Sequence, residues 1–212
     1  MTLDKDGPAS AADDPNAKRG PRQLTDPVTM RAVAHPTRLA LLEALGLHQS
    51  LTATQAAEVI GETPTNCSFH LRILAKYGFV EEASEAPGRR RPWRLTQIGF
   101  SHDDTAADPD ASQASQALGR LLWDTWLSRV EAVKVRQPRF EGAWAKVTSG
   151  TENVAFVTPE EAEQLIADVR EVLDRYRDRL EDPDRRPAGS LPVEAVLFTY
   201  PLEAAKAEPD PS

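Results

Sequence analysis

The chain predicts a mainly α protein with a small β content, of the α+β class. Three observations carry that expectation: two short helices joined by a tight turn between Leu51 and Val80, an arginine-loaded hairpin directly after them, and a long amphipathic helix further on. Helix, turn, helix and basic hairpin, in that order, define a winged helix-turn-helix. Residues 25–100 are read as that DNA-binding domain.

The first helix of the pair starts at Thr52, a hydroxyl cap, with Gln55 three residues on to complete a capping box. Ala56, Val59 and Ile60 give it a short apolar face. Gly61 stops it, because glycine takes the left-handed conformation of a helix C-terminus. Thr63 caps the second helix, and Pro64 sits at its first position, where no N–H is needed.

Helical spacing sorts the second helix into two sides. Cys67, Leu71, Ile73 and Leu74 form the inner stripe, with Phe79 and Val80 closing the core beyond Gly78. Thr65, Ser68, Phe69, Arg72 and Lys76 face outward, and Asn66 is within reach of a base edge or a phosphate. Short hydroxyl side chains let such a helix enter a major groove, and an arginine suits a guanine edge or a phosphate. Thr52, Thr54 and Thr63 at the helix starts complete the candidate contacts from this pair.

In the hairpin, Ala86-Pro87-Gly88 is turn chemistry, and Arg89, Arg90 and Arg91 follow at its tip, suited to a phosphate backbone or a minor groove. Pro92 lacks an N–H and predicts an edge position for its strand. Glu81, Glu82 and Glu85 stand on the opposite strand and would damp the field of the arginines.

Residues from about Thr29 to Gly99 resemble the ArsR-like winged-helix regulators. Ala34-His35-Pro36-Thr37-Arg38-Leu39 is similar to the family's opening helix, with His35 where the family has Asp. Ser68-Phe69-His70-Leu71-Arg72-Ile73-Leu74 resembles its recognition helix, and Gly78-Phe79-Val80 its entry to the wing. The resemblance implies a transcriptional regulator that binds double-stranded DNA as a homodimer, through helices flanking the winged helix, on an inverted repeat. It does not carry over the family's metal sites. The chain has one cysteine, Cys67, on the inner face, and His70 reads as packing. His35 stands where a capping residue is needed. His102-Asp103-Asp104 has ligand-type atoms but lies in an Asp/Ala/Ser stretch. No metal and no cofactor is expected.

The net charge of −8 is uneven. Residues 30–100 hold eight basic and six acidic side chains, while residues 101–212 hold thirteen basic and twenty-two acidic. The basic surplus thus lies in the winged helix. One cysteine excludes an intramolecular disulfide framework, and the absence of a leader-like or membrane-length apolar run predicts a cytoplasmic protein.

Residues 1–24 read as a disordered tail whose Lys18-Arg19-Gly20-Pro21-Arg22 is either a basic arm or plain solvated chain. Residues 101–112 read as a linker. Residues 113–138 read as a long dimerisation helix ended before Pro138, with Leu118, Leu122, Trp126 and Val130 in its stripe and Trp123 and Leu127 widening it. Residues 139–203 read as a strand–helix–strand unit. Its strands are 153–157 and 193–200, and its helix opens at Thr158-Pro159-Glu160-Glu161 with the stripe Leu165, Val169, Val172, Tyr176, Leu180. Residues 204–212 read as a disordered tail. Trp123, Trp126, Phe140, Trp144 and Phe156 could wall a small-molecule effector pocket, although aromatic side chains at helical spacing are more often ordinary core.

No Gly-rich phosphate loop, nucleophile elbow or zinc-type spacing is present, so an enzyme is not expected. The rival from another class is a winged helix serving as a protein-interaction module without specific DNA binding. The outward Thr65, Ser68 and Arg72 favour DNA, and Phe69 suits either.

Overall fold

The computed structural model describes residues 21–83, 91–102, 107–136, 141–147 and 152–202. The chain divides into two compact units at Arg129/Val130.

The first unit opens with strand β1 (Arg22–Leu24), helices α1 (Pro27–Val33) and α2 (Pro36–His48), and strand β2 (Ser50–Leu51). The helix pair follows as α3 (Ala53–Ile60) and α4 (Pro64–Lys76), then strands β3 (Val80–Glu82), β4 (Trp93–Leu95) and β5 (Phe100–His102), and helix α5 (Pro109–Arg136). The boundaries follow from side-chain caps. Thr52 and Gln55 form the reciprocal capping box on α3, and Gly61 closes that helix at φ 73°. The Thr63 hydroxyl accepts from the Asn66 N–H at 3.2 Å, opening α4 with Pro64 in its first turn.

Two small sheets frame the helices. β2, β4 and β3 form an antiparallel sheet in that order, with Val80 opposite Leu95 and Glu81 opposite Arg94. β1 runs parallel to β5, Arg22 opposite Phe100. The core draws on every helix of this unit: Met30 and Val33, Leu41 and Leu45, Ala56, Cys67, Leu71 and Leu74, and Leu118 are buried in one cluster with Leu24 and Val80. The fold is a mostly helical α+β winged helix, as the residues predict.

Four expectations give way here. Residues 22–24 are not a tail: Leu24 is buried and Arg22 donates to the Tyr77 carbonyl at 2.9 Å while lying over the Phe79 ring. β4 is the central strand, not an edge. Pro92 is tolerated because it precedes the strand, and its carbonyl accepts from the Ala83 N–H at 2.8 Å. Residues 101–112 are not a linker, since β5 and the start of α5 occupy most of the described part of them. The Asp108 carboxylate accepts from the Ala111 N–H at 3.0 Å, the same cap-then-proline signal as Thr63-Pro64. Leu118, placed by its spacing in a dimer stripe, is wholly buried in its own unit.

The second unit holds a 3-10 turn (Gly142–Lys146), helix α6 (Pro159–Asp174), helix α7 (Asp178–Glu181) and a 3-10 turn (Pro183–Arg185). The Thr158–Glu161 capping box opens α6 as expected. The flanking strands do not form: 153–157 and 193–200 are without strand pairing, and Val154, Phe156, Val193 and Tyr200 are exposed. One helix offers two strands too thin a core to hold them together.

Candidate nucleic-acid interface

Two helical faces diverge on α4. Cys67, His70, Leu71 and Leu74 are buried at positions i, i+3, i+4 and i+7, which fixes the rotation of the helix against α2 and α3. Burial also pushes the Cys67 thiol up, so it stays neutral and acts as a small hydrophobe. The opposite side carries Thr65, Phe69, Arg72 and Lys76, all exposed, with Ser68 half-buried at its border. Phe69, 57% exposed, stacks edge-on against His70 with ring centroids 5.1 Å apart. Lys76 extends over Tyr77, its Nζ 5.5 Å from the ring centroid. Among the described residues, no hydrogen bond or ion pair ties the Arg72 guanidinium down.

The predicted contacts at the helix starts are held more tightly. The Thr52 hydroxyl donates to Gln55 Oε1 and accepts from the Gln55 N–H, so it is a structural cap. Thr54 is half-buried one residue inside α3. The Thr63 hydroxyl is occupied by its own helix, and the Asn66 amide donates to Glu62 at 3.0 Å. Asn66 must therefore exchange that carboxylate for any DNA contact.

At the wing base, cross-strand register sets the electrostatics. Arg94 pairs with Glu81 at 2.8 Å and Arg91 with Glu82 at 3.0 Å. The carboxylates thus neutralise these two arginines in the free protein, as their opposite placement predicts. Both pairs are exposed and contribute about 0–1 kcal/mol each, so a phosphate can displace them. Arg89 and Arg90, with the turn at Ala86-Pro87-Gly88, lie outside the described residues.

Behind α4, His35 and His70 stack with centroids 4.5 Å apart. His35 does cap α2: its Nδ1 accepts from the Thr37 N–H at 3.2 Å, which requires the neutral ring. His70 Nδ1 is buried without a hydrogen-bond partner. Burial, and then the neighbouring cations, hold both imidazoles below the ordinary histidine value. Arg38 faces both rings and His35 also opposes His70, while Glu62 offsets this in part. This pair was not legible as a pair, because thirty-five residues separate its members. The unfolded chain takes up protons at about pH 6.5, before the folded one does. Stability should therefore be full above that value and be lost progressively as the pH drops below about 6.5. The urea midpoint measured across that window should show the loss, and His70→Gln should shrink it. An equal slope in both proteins would contradict this.

Two supports of the interface were missed in the sequence. Arg22 holds the last turn of α4 through the Tyr77 carbonyl, although its neighbours read as a tail. Arg31 pairs with Asp110 at the start of α5, an exposed link between residues far apart in the chain. His102 is bonded to Ser115 at 2.8 Å. Among the described residues, no group of three or more His, Cys, Asp or Glu is placed to hold a metal ion.

α5 presents a mixed face. Leu121 and Leu122 pack against the core, Trp126 is half-buried, and Trp123, Leu127 and Val130 are exposed. A groove of about 250 Å³ lies between α2, the segment Leu95–Phe100 and α5, walled by Leu39, Leu42, Phe79, Leu122 and Trp126. Of the other aromatic candidates for an effector pocket, Phe156 is fully exposed and Phe140 lies outside the described residues.

The fold and this face define a winged helix-turn-helix domain. Residues 33–83 match the model of a helix-turn-helix domain family, from the end of α1 to the strand that enters the wing. No curated protein matches the chain. Among solved structures, MepR, a transcription regulator of the Staphylococcus aureus multidrug efflux pump MepA, aligns at 17% identity. The alignment covers 69% of this chain and 89% of that one, with a TM-score of 0.29. Among the described residues no helix is long and apolar enough to cross a membrane.

Proposed function

We propose that this protein is a sequence-specific transcriptional regulator of the ArsR-like type, in which α4 enters the major groove of double-stranded DNA. The observation that carries the reading is the outward face of α4: two hydroxyls, an aromatic ring and two cations on a helix whose opposite face is locked into the core. Thr65, Ser68 and Arg72 read base edges, Lys76 reaches a phosphate, and the wing arginines Arg89, Arg90 and Arg91 lie along the backbone. It acts in the cytoplasm as a homodimer on an inverted repeat with half-sites about one helical turn apart. The exposed Trp123, Leu127 and Val130 of α5 supply a dimer contact, replacing Leu118, which the core already uses. The groove beside Trp126 is where a small apolar effector would couple to α5, since it touches both that helix and the base of the wing.

A direct test is binding to duplex DNA of random sequence at low salt. Non-specific affinity in the range of about 10⁻⁴–10⁻⁶ M supports the reading. Absence of binding at those concentrations favours a protein-interaction module, to which the exposed Phe69 is equally suited.

A further inference from the structure

The outward stripe of α4 repeats with the period of the helix: Thr65, Phe69, Arg72 and Lys76 stand at i, i+4, i+7 and i+11, and all four are exposed. Three of them are polar or cationic and are solvated in the free protein. Phe69 is the exception, a large apolar ring 57% exposed in the middle of the stripe. The ring is not loose. It packs edge-on against His70 with centroids 5.1 Å apart, and His70 stacks on His35 at 4.5 Å. His35 is fixed in turn as the cap of α2, through the Thr37 N–H. A row of rings reaching back to α2 thus holds Phe69 in place, so little side-chain freedom is lost when it is covered.

An exposed ring alone suits a protein or a duplex, and its surroundings separate the two. From Pro64 to Lys76, α4 has no carboxylate, and the stripe continues from Phe69 into two cations. In a protein interface Thr65, Ser68 and Arg72 would be polar groups to desolvate. On a duplex each finds a base edge or a phosphate. The apolar group that a base pair shows in the major groove is the C5 methyl of thymine. Over guanine, adenine or cytosine the ring would cover a hydrogen-bonding edge and give it no partner, which costs affinity. Along the helix axis Phe69 lies about 4.5 Å before Arg72, at about 1.5 Å per residue. Base pairs are about 3.4 Å apart, so the two side chains fall on base pairs one or two steps from each other.

We infer that Phe69 is a specificity-determining residue that packs on the C5 methyl of a thymine in the site that α4 reads. The inference rests on α4 entering the major groove, and it adds the base preference of a residue that makes no hydrogen bond to DNA.

Duplexes selected by the full chain from a random library are the probe. Each thymine of the selected site is replaced singly by deoxyuridine, which removes the methyl and leaves the hydrogen-bonding edge unchanged. One of these replacements should weaken binding about fourfold, as for one apolar carbon returned to water. Phe69→Ala should bind the thymine and deoxyuridine duplexes equally, with a urea midpoint near that of the wild type because the ring is exposed. The comparison of the two duplexes in the wild type requires no variant to fold. A methyl effect of the same size in Phe69→Ala would overturn the inference. So would a site that the chain binds but in which no thymine methyl matters, and both results leave α4 in the groove. Failure to bind any duplex would remove α4 from the groove and the inference with it.

Discussion

Leu71→Ala should lower the free energy of unfolding by about 2–5 kcal/mol, the range for removing a large aliphatic side chain from a closed core. Leu71 is fully buried on the inner face of α4, in one cluster with Leu41, Leu45, Leu74 and Leu118. Its removal leaves a cavity at the point where the recognition helix is set against α2 and α3, and those helices can collapse only partly into it. Urea unfolding followed by circular dichroism reads the loss. A change below about 1 kcal/mol would mean that α4 is not seated as described.

Arg72→Ala, one residue along, should do the opposite. Its guanidinium is exposed and among the described residues makes no ion pair, so the unfolding midpoint should hardly move. Binding to a selected operator should weaken by about 1–3 kcal/mol if Arg72 reads a base edge, and mostly at the base pair it reads. If it touches phosphate, the loss should be similar on every sequence and the salt dependence should flatten by about one unit of slope. Unchanged affinity with intact stability would remove α4 from the interface.

The contrast between these neighbours was legible in the residues, because helical spacing assigns them to different faces as soon as the helix start is known. Thr63-Pro64 gave that start, and Thr52 with Gln55 gave the helix before it. The same grammar was present at Asp108-Pro109 and was hidden by the Asp/Ala/Ser composition around it, so α5 begins earlier than its apolar period suggests. Long-range partnerships left no local trace. Arg22 on Tyr77, His35 on His70 and β1 on β5 join residues tens of positions apart, and nothing near any one of them names the other. The apolar period of α5 is real, but period alone does not divide a stripe between the chain's own core and a partner. Leu118 went to the core, and Leu127 stayed outside. In the second unit the alternation at 153–157 and 193–200 is strand-like, yet a strand needs a neighbour as well as a pattern.

The central claim is that the outward face of α4, with the arginine wing, meets the phosphates and bases of duplex DNA. Fluorescence anisotropy of a labelled random duplex, titrated with the full chain at several salt concentrations, tests it most directly. The expected result is a straight fall of log K against log salt, with a slope of about −0.9 for each phosphate contacted and so several units in all. Binding indifferent to salt, or none at low salt, would contradict the claim.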